Sequence, residues 1–299
     1  MKSTMKKYVT YAGAGFILIS AVLLTLFYTG TIWRSPKFYE VKEMVSFNVP
    51  IMDMAAYDTL GHHSRPYIYK IESSGGGSVY VLGIGHTKNP EDSQIDSIRL
   101  TWEKYQPDVA LVEGRLGFLF SGIQNPVKTY GENGETVRLA KKDNIPFYTW
   151  EPDKQDEIKY LMRHFSPDKL ALFYSLRPYF SNFRFGKPEN PNQKMNEYIK
   201  SRTDYDFIRN ELSDFKEVDS IWDADFPNEK DWRETSDEYG WPKGYLSELA
   251  NLSNITRDLH LCSAILELVK NKKNVFVTMG ASHAFRVEET LRHELEKNN

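Results

Sequence analysis

The chain has 299 residues, 40% hydrophobic and 14% aromatic, enough for one large or two small domains with a sizeable core. Its single cysteine, Cys262, excludes an intrachain disulfide. The formal charge is −3, but four basic and no acidic residues fall in 1–34, which leaves the remainder at 34 basic against 41 acidic residues, a poor match for nucleic acid or an anionic membrane.

Lys2, Lys6 and Lys7 precede residues 8–28, which carry no charge. That is the length of apolar helix a bilayer crossing needs. Tyr8, Tyr11, Tyr28 and Trp33 stand near its ends, where interfacial aromatics belong. The exit Thr25-Leu26-Phe27-Tyr28-Thr29-Gly30-Thr31 fits a small-residue cleavage site poorly, Thr29-Gly30-Thr31 being the part that comes nearest to one. Residues 1–34 therefore read as a retained signal anchor. Basic residues before the span outnumber Arg34 and Lys37 after it, which places the N-terminus in the cytoplasm and the body outside it as a single-pass membrane protein. Residues 35–60 read as a juxtamembrane linker, and 61–299 as the domain.

Within that domain, residues 67–71 alternate as a strand, Ser73–Ser78 is a glycine-rich turn, and Val79-Tyr80-Val81-Leu82-Gly83 is the returning strand of a hairpin. No Gly-Lys-Ser/Thr follows the glycines, so a phosphate loop is not expected. The strand ends in Gly83-Ile84-Gly85-His86. Asn89-Pro90-Glu91-Asp92 has the composition of a helix start, and the helix runs to about Tyr105. Residues 108–112 form a third strand, ending in Glu113-Gly114-Arg115. Gly131 to Gly134 opens a loop into a helix that ends near Asp143, and 146–150 is a fourth strand, ending in Glu151. This alternation predicts an α/β fold: a mainly parallel sheet with helices on both faces.

The middle changes character. Ser166-Pro167-Asp168 starts a helix, and a helical insert rich in aromatic residues, Asn, Pro and charge occupies about 165–245, with short helices near 193–203 and 206–221. Phe180, Phe183, Phe185, Trp222, Phe226, Trp232, Tyr239 and Trp241 crowd this stretch, as either a substrate wall or internal packing. Residues 246–270 read as a long helix with Cys262 on its apolar stripe. The strand at 274–280 then ends in Gly280-Ala281-Ser282-His283, and a last helix begins near Val287.

The two Gly-x-x-His strands suggest one device used twice. Ligands in open α/β sheets bind at the carboxyl ends of the strands, and His86, Glu113, Arg115, Glu151 and His283 all fall at such exits. His86, Glu113, His283 and Glu151 are a ligand set for a divalent ion, which would polarise a carbonyl and activate water. Without an ion, the same residues are an acid/base pair with Arg115 for an oxyanion. Both schemes lead to hydrolysis. His62, His63, His164, His260, His293 and Asp223-Ala224-Asp225 are weaker candidates. No Gly-x-Ser-x-Gly or His-Glu-x-x-His occurs, and Cys262 lies mid-helix, so a serine or cysteine nucleophile is not expected.

The segments 67–71 and 81–87, then Pro107-Asp108-Val109-Ala110-Leu111-Val112-Glu113, resemble the opening of the TraB/TIKI family. Asn254-Ile255-Thr256-Arg257-Asp258 looks like that family's Arg-Asn/Asp helix start, and Gly280-Ala281-Ser282-His283 like its closing motif. The wider superfamily includes erythromycin-esterase-like hydrolases and ChaN-like haem-binding lipoproteins. The resemblance implies metal-dependent peptidase chemistry with manganese, cobalt or zinc, His86, Glu113 and His283 as the core site, and Arg257 in support. The chain departs from the pattern in its second glycine, Gly85, and in residues 165–245. Peptide cleavage is the expected reaction on a peptide or small-molecule substrate. The alternatives are a metal-free ester hydrolase of the erythromycin-esterase type and a non-enzymatic haem or ligand binder.

Overall fold

The structure is a computed structural model that describes residues 2–60, 63–237 and 240–296. His62 and Tyr239 lie outside the described residues, as do the side chains of Tyr8, Lys2, Lys6 and Lys7.

In chain order the elements are α1 (Lys2–Tyr28), β1 (Ile32–Trp33), β2 (Lys37–Phe38), α2 (Met54–Asp58), β3 (Tyr67–Glu72), β4 (Ser78–Ile84), α3 (Ser93–Tyr105), β5 (Val109–Val112), β6 (Leu119–Phe120), α4 (Pro126–Lys142) and β7 (Phe147–Thr149). There follow α5 (Lys154–Leu161), α6 (Pro167–Asn182), α7 (Pro191–Arg202), α8 (Phe215–Asp225), α9 (Tyr245–Lys270), β8 (Asn274–Gly280) and α10 (Ala281–Glu296). Two compact units divide the chain: Met1–Pro50, Leu60–Glu151 and Leu261–Asn299 form the first, Ile51–Thr59 and Pro152–His260 the second.

The first unit is α/β. Its six-stranded sheet has the order β2-β7-β5-β8-β4-β3, parallel throughout except for the β3–β4 hairpin. The inner strands are continuous Val, Ile, Leu and Phe runs, the composition of strands buried on both faces. Leu82, Ala110 and Phe276 of the sheet pack with Ile98 and Trp102 of α3 and Leu139 of α4 in one buried cluster. The α3 helix begins three residues later than the Asn-Pro signal suggests. Asp92 caps it, while Asn89 accepts from Glu91 N–H in a turn of its own. The hydrogen bond from Gln94 N–H holds the Asp92 carboxyl below its ordinary pKa.

Residues 8–28 do form a helix, and Tyr11–Tyr28 is long and apolar enough to cross a membrane. Trp33, expected at an interface, is buried instead, packed with Val112, Leu116, Leu119 and Val137. The linker region is also tied to the body. β2 adds to the sheet edge beside β7, Tyr39 Oη donates to Glu267 at 3.1 Å, and Val45 N–H donates to Ser263 Oγ at 3.1 Å. Burial and the hydrogen bond to Glu267 raise the Tyr39 hydroxyl well above its usual range.

The second unit is helical and has its own core. Phe180, Trp222, Phe226 and Trp232 are each 4% exposed or less; Trp222 meets the rings of Phe180 and Phe226, and Trp232 that of Tyr179, so these four are core residues, while Phe185 of the same stretch is exposed. The unit comprises Ile51–Thr59 and Pro152–His260. Its α6 core is underlaid by Glu157, a fully buried carboxylate bonded to Lys154 and, at 2.6 Å, to Ser253 Oγ, with Arg177 3.7 Å away. Asp225 accepts from Tyr245 Oη, and Asp223 is exposed at the end of α8, so this acidic pair is a solvated helix end. His164 stands in a turn after α5 against Tyr160.

Candidate functional site

Parallel neighbours in the order β5-β8-β4 place three strand exits side by side, at the ~4.8 Å spacing of a sheet. In the register Ile84 lies opposite Gly280, and Val112 opposite Thr278. His86, Glu113 and His283 therefore leave the same edge at the same level. The Glu113 Oε2 atom accepts from Gly280 N–H at 2.7 Å, and its Oε1 lies 3.8 Å from His283 Nε2. A Cβ on Gly280 would come within 3.3 Å of His86 Nε2 and 3.5 Å of Glu113 Oε2, so both atoms face one space over the Gly280 Cα. The last helix begins at Ala281, six residues before its expected start. His283 thus sits in its first turn, almost buried, with Trp150 edge-on to its ring at 5.5 Å.

The loop that presents His86 is clamped by α3. Gln94 Oε1 accepts from Gly85 N–H at 2.8 Å, and Gln94 Nε2 donates to the Gly85 carbonyl at 3.2 Å. These two bonds hold the peptides on either side of Gly85, which fixes the direction in which the next side chain leaves. The extra glycine also has a spatial reason, because a Cβ at 85 would meet Arg65 Cδ at 3.3 Å.

Sequence reasoning missed the residue that completes the site. His86 Nδ1 is 2.7 Å from Glu132 Oε1, and Glu132 is only 3% exposed. An ionised carboxylate only accepts, so Nδ1 carries the hydrogen of this bond and Nε2 is the nitrogen left to the space over Gly280. Glu132 reaches His86 because α4 is broken at Gly131 (φ 63°, ψ −148°), where a Cβ would strike the Thr87 carbonyl at 2.7 Å. The following residue, Asn133, accepts from Glu113 N–H and from Thr278 Oγ1, both at 3.2 Å, tying two strand exits to α4. Glu135 holds Arg99 and Arg138 at 2.7 and 2.6 Å. Burial acts to raise its carboxyl, but the two arginines outweigh that and hold it below the ordinary range. Polar residues buried on the sheet side of a helix, bracketed by Gly131 and Gly134, were the signal available.

Other expected residues lie elsewhere. Arg115 is exposed, with its guanidinium 4.8 Å over the Phe38 ring. Glu151 is half-buried past the end of β7, one strand beyond Glu113. Arg257 is buried in the second unit, well inside α9 rather than at a helix start. His63 stacks on Phe285 at 5.2 Å. His260 is nine-tenths buried in α9, and His293 lies in α10 beside Glu294. Among the described residues, no group of three or more His, Cys, Asp or Glu side chains is placed to hold an ion.

The two motif glycines have different work, and their variants should separate. A Cβ on Gly83 would lie 2.6 Å from Ala284 Cβ and 2.9 Å from Ala281 Cα. Gly83→Ala should therefore force α10 off the sheet, at about 1–3 kcal/mol for overpacking, read as a lower melting temperature. Gly280→Ala should melt near the wild type and lose activity, because its methyl would fill the space between His86 and Glu113. Equal melting temperatures for the two variants would contradict this division.

No protein-family model and no curated protein matches the chain.

Proposed function

We propose that the protein is a membrane-anchored hydrolase of peptide or ester bonds, of TraB/TIKI-like kind, with His86 as general base. One observation carries this reading: His86 is held by the buried Glu132 through Nδ1 while its Nε2 and Glu113 Oε2 face the same space. A water in that space donates one hydrogen to Nε2 and the other to Glu113. His86 takes the proton as the oxygen attacks the acyl carbon, giving a tetrahedral intermediate. Arg65, whose Cδ packs over Gly85, the residue before His86, is given the oxyanion role in this reading. The C–N or C–O bond then breaks, and the proton that His86 took passes from its Nε2 to the leaving amine or alcohol, which restores the ring for the next turnover. In this reading helices cover both faces of the sheet, residues 152–260 are an insert in the hydrolase chain, and α1 holds the body outside the cytoplasm.

The test is hydrolysis of membrane-impermeant acyl-peptide and ester substrates by intact cells, repeated on purified full-length protein with and without a chelator. Turnover by intact cells that survives chelation is the expected result. Loss on chelation, restored by manganese, cobalt or zinc, would establish the metal-dependent peptidase instead. A Soret band on haem addition with no turnover would establish the non-enzymatic binder. Turnover seen only after lysis would reverse the orientation.

A further inference from the structure

Exposed apolar side chains are concentrated in one short segment of the body. Ile123 is 85% exposed, Phe118 66% and Phe120 44%, all within nine residues of Leu116. A soluble surface rarely gathers large apolar groups in this way without a partner. The segment is strapped to the foot of α1. β6 pairs antiparallel with β1, matching Ile32 to Phe120, and Ser121 N–H donates to the Thr31 carbonyl at 2.7 Å. The Phe118 ring meets Phe27, in the last turn of α1, edge-on at 5.9 Å. The Arg34 guanidinium lies 4.8 Å over the Phe27 ring, and Tyr28, next in the chain to Phe27, is 94% exposed. Aromatic rings with an arginine at the end of an apolar span are the composition of a membrane interface. Trp33, which belongs to that composition by sequence, is turned into the core. Phe118, Phe120 and Ile123 stand outward next to it.

We propose that the Phe118–Ile123 loop is a second membrane contact: it enters the lipid interface at the foot of α1 and holds the sheet edge against the bilayer. The occupant is the bilayer itself rather than another protein, because the loop is continuous with the helix that enters it. The body is net acidic, so contact comes from apolar insertion and not from attraction to anionic headgroups. The inference rests on the membrane reading of α1.

Cys262 is fully buried, so an environment-sensitive fluorophore can be placed selectively at Ile123→Cys. Full-length protein is reconstituted in phosphatidylcholine liposomes containing lipid with a nitroxide near the headgroup. Labels at Leu24→Cys in α1 and at the exposed Leu100→Cys of α3 are the references. The expected result is a blue-shifted Ile123 label that loses most of its fluorescence to the nitroxide lipid, while the Leu100 label keeps its own. If the Leu24 label is quenched and the Ile123 label behaves like Leu100, α1 is in the bilayer and the loop is not, which overturns the proposal. If neither Leu24 nor Ile123 is quenched, the membrane reading of α1 fails and the second contact with it. A blue shift that grows with protein concentration, without quenching, would assign the loop to a second copy of the chain.

Discussion

A His86→Asn variant is expected to lose hydrolysis by about 100- to 10,000-fold, the usual worth of a positioned general base, and to melt within a few degrees of the wild type. The asparagine amide can keep a donor on Glu132, as Nδ1–H does now at 2.7 Å, but it has nothing in place of Nε2. His86→Ala is the less clean variant. It strands a carboxylate that is 3% exposed, and an unsatisfied buried acceptor costs about 1–3 kcal/mol. Its partial rescue by added imidazole would separate the chemical role from the structural one. Glu132→Gln should lose activity on a comparable scale, because the amide can present either a donor or an acceptor to the ring and no longer fixes the tautomer. The measurement is turnover against pH alongside thermal unfolding for each variant. Full activity in folded His86→Asn protein would remove His86 from the reaction.

Glu157→Gln is expected to destabilise the second unit by about 3–5 kcal/mol, the range for breaking a buried ion pair from one side. Burial alone would push the Glu157 carboxyl upward. The charges of Lys154 and Arg177, with hydrogen bonds from Lys154 and Ser253, outweigh it and bring the pKa down to about 2 from 4.5. A lowered folded-state value stabilises above the unfolded one. The contribution is therefore complete above about pH 4.5 and drains away as pH falls toward 2, amounting to about 3 kcal/mol. Hydrogen exchange of peptides from 152–260 at a series of pH values reads this directly. Wild type should lose protection over that window, and Glu157→Gln should begin low and change little across it. Parallel acid profiles for the two proteins would show that Glu157 is not the group responsible.

The sheet and its strand exits were legible because their cause is local. Val79–Leu82 and Val275–Val277 are apolar runs ended by glycine, and a parallel sheet then sends every exit to one edge. What stayed hidden depends on backbone turns that the residue pattern does not announce. Arg115 stands two residues from Glu113 in the chain, yet Gly114 takes φ +71° between them, and the guanidinium ends on Phe38. Glu132 looked like part of a loop opening into a helix. Only the break at Gly131 turns it inward beneath His86. Arg65 precedes β3 in a stretch without periodicity, and only the folded chain brings its stem over Gly85. The β2 strand is two residues long and pairs with a strand more than a hundred positions later, beyond the reach of any local signal.

β8, the last strand in the chain, lies between β5 and β4 in the sheet. During synthesis the polypeptide emerges from its N-terminus, so for most of its elongation the first unit consists of two half-sheets with facing, unsatisfied edges. The half ending in β4 carries His86, the half ending in β5 carries Glu113, and neither can be brought to its partner until residues 274–280 arrive to join them. Such late, distant pairing is slow and leaves edges open to aggregation meanwhile. A nascent chain that stops short of β8 therefore has every early motif, but His86 and Glu113 are not yet side by side, and the strand that joins them is the last to be made.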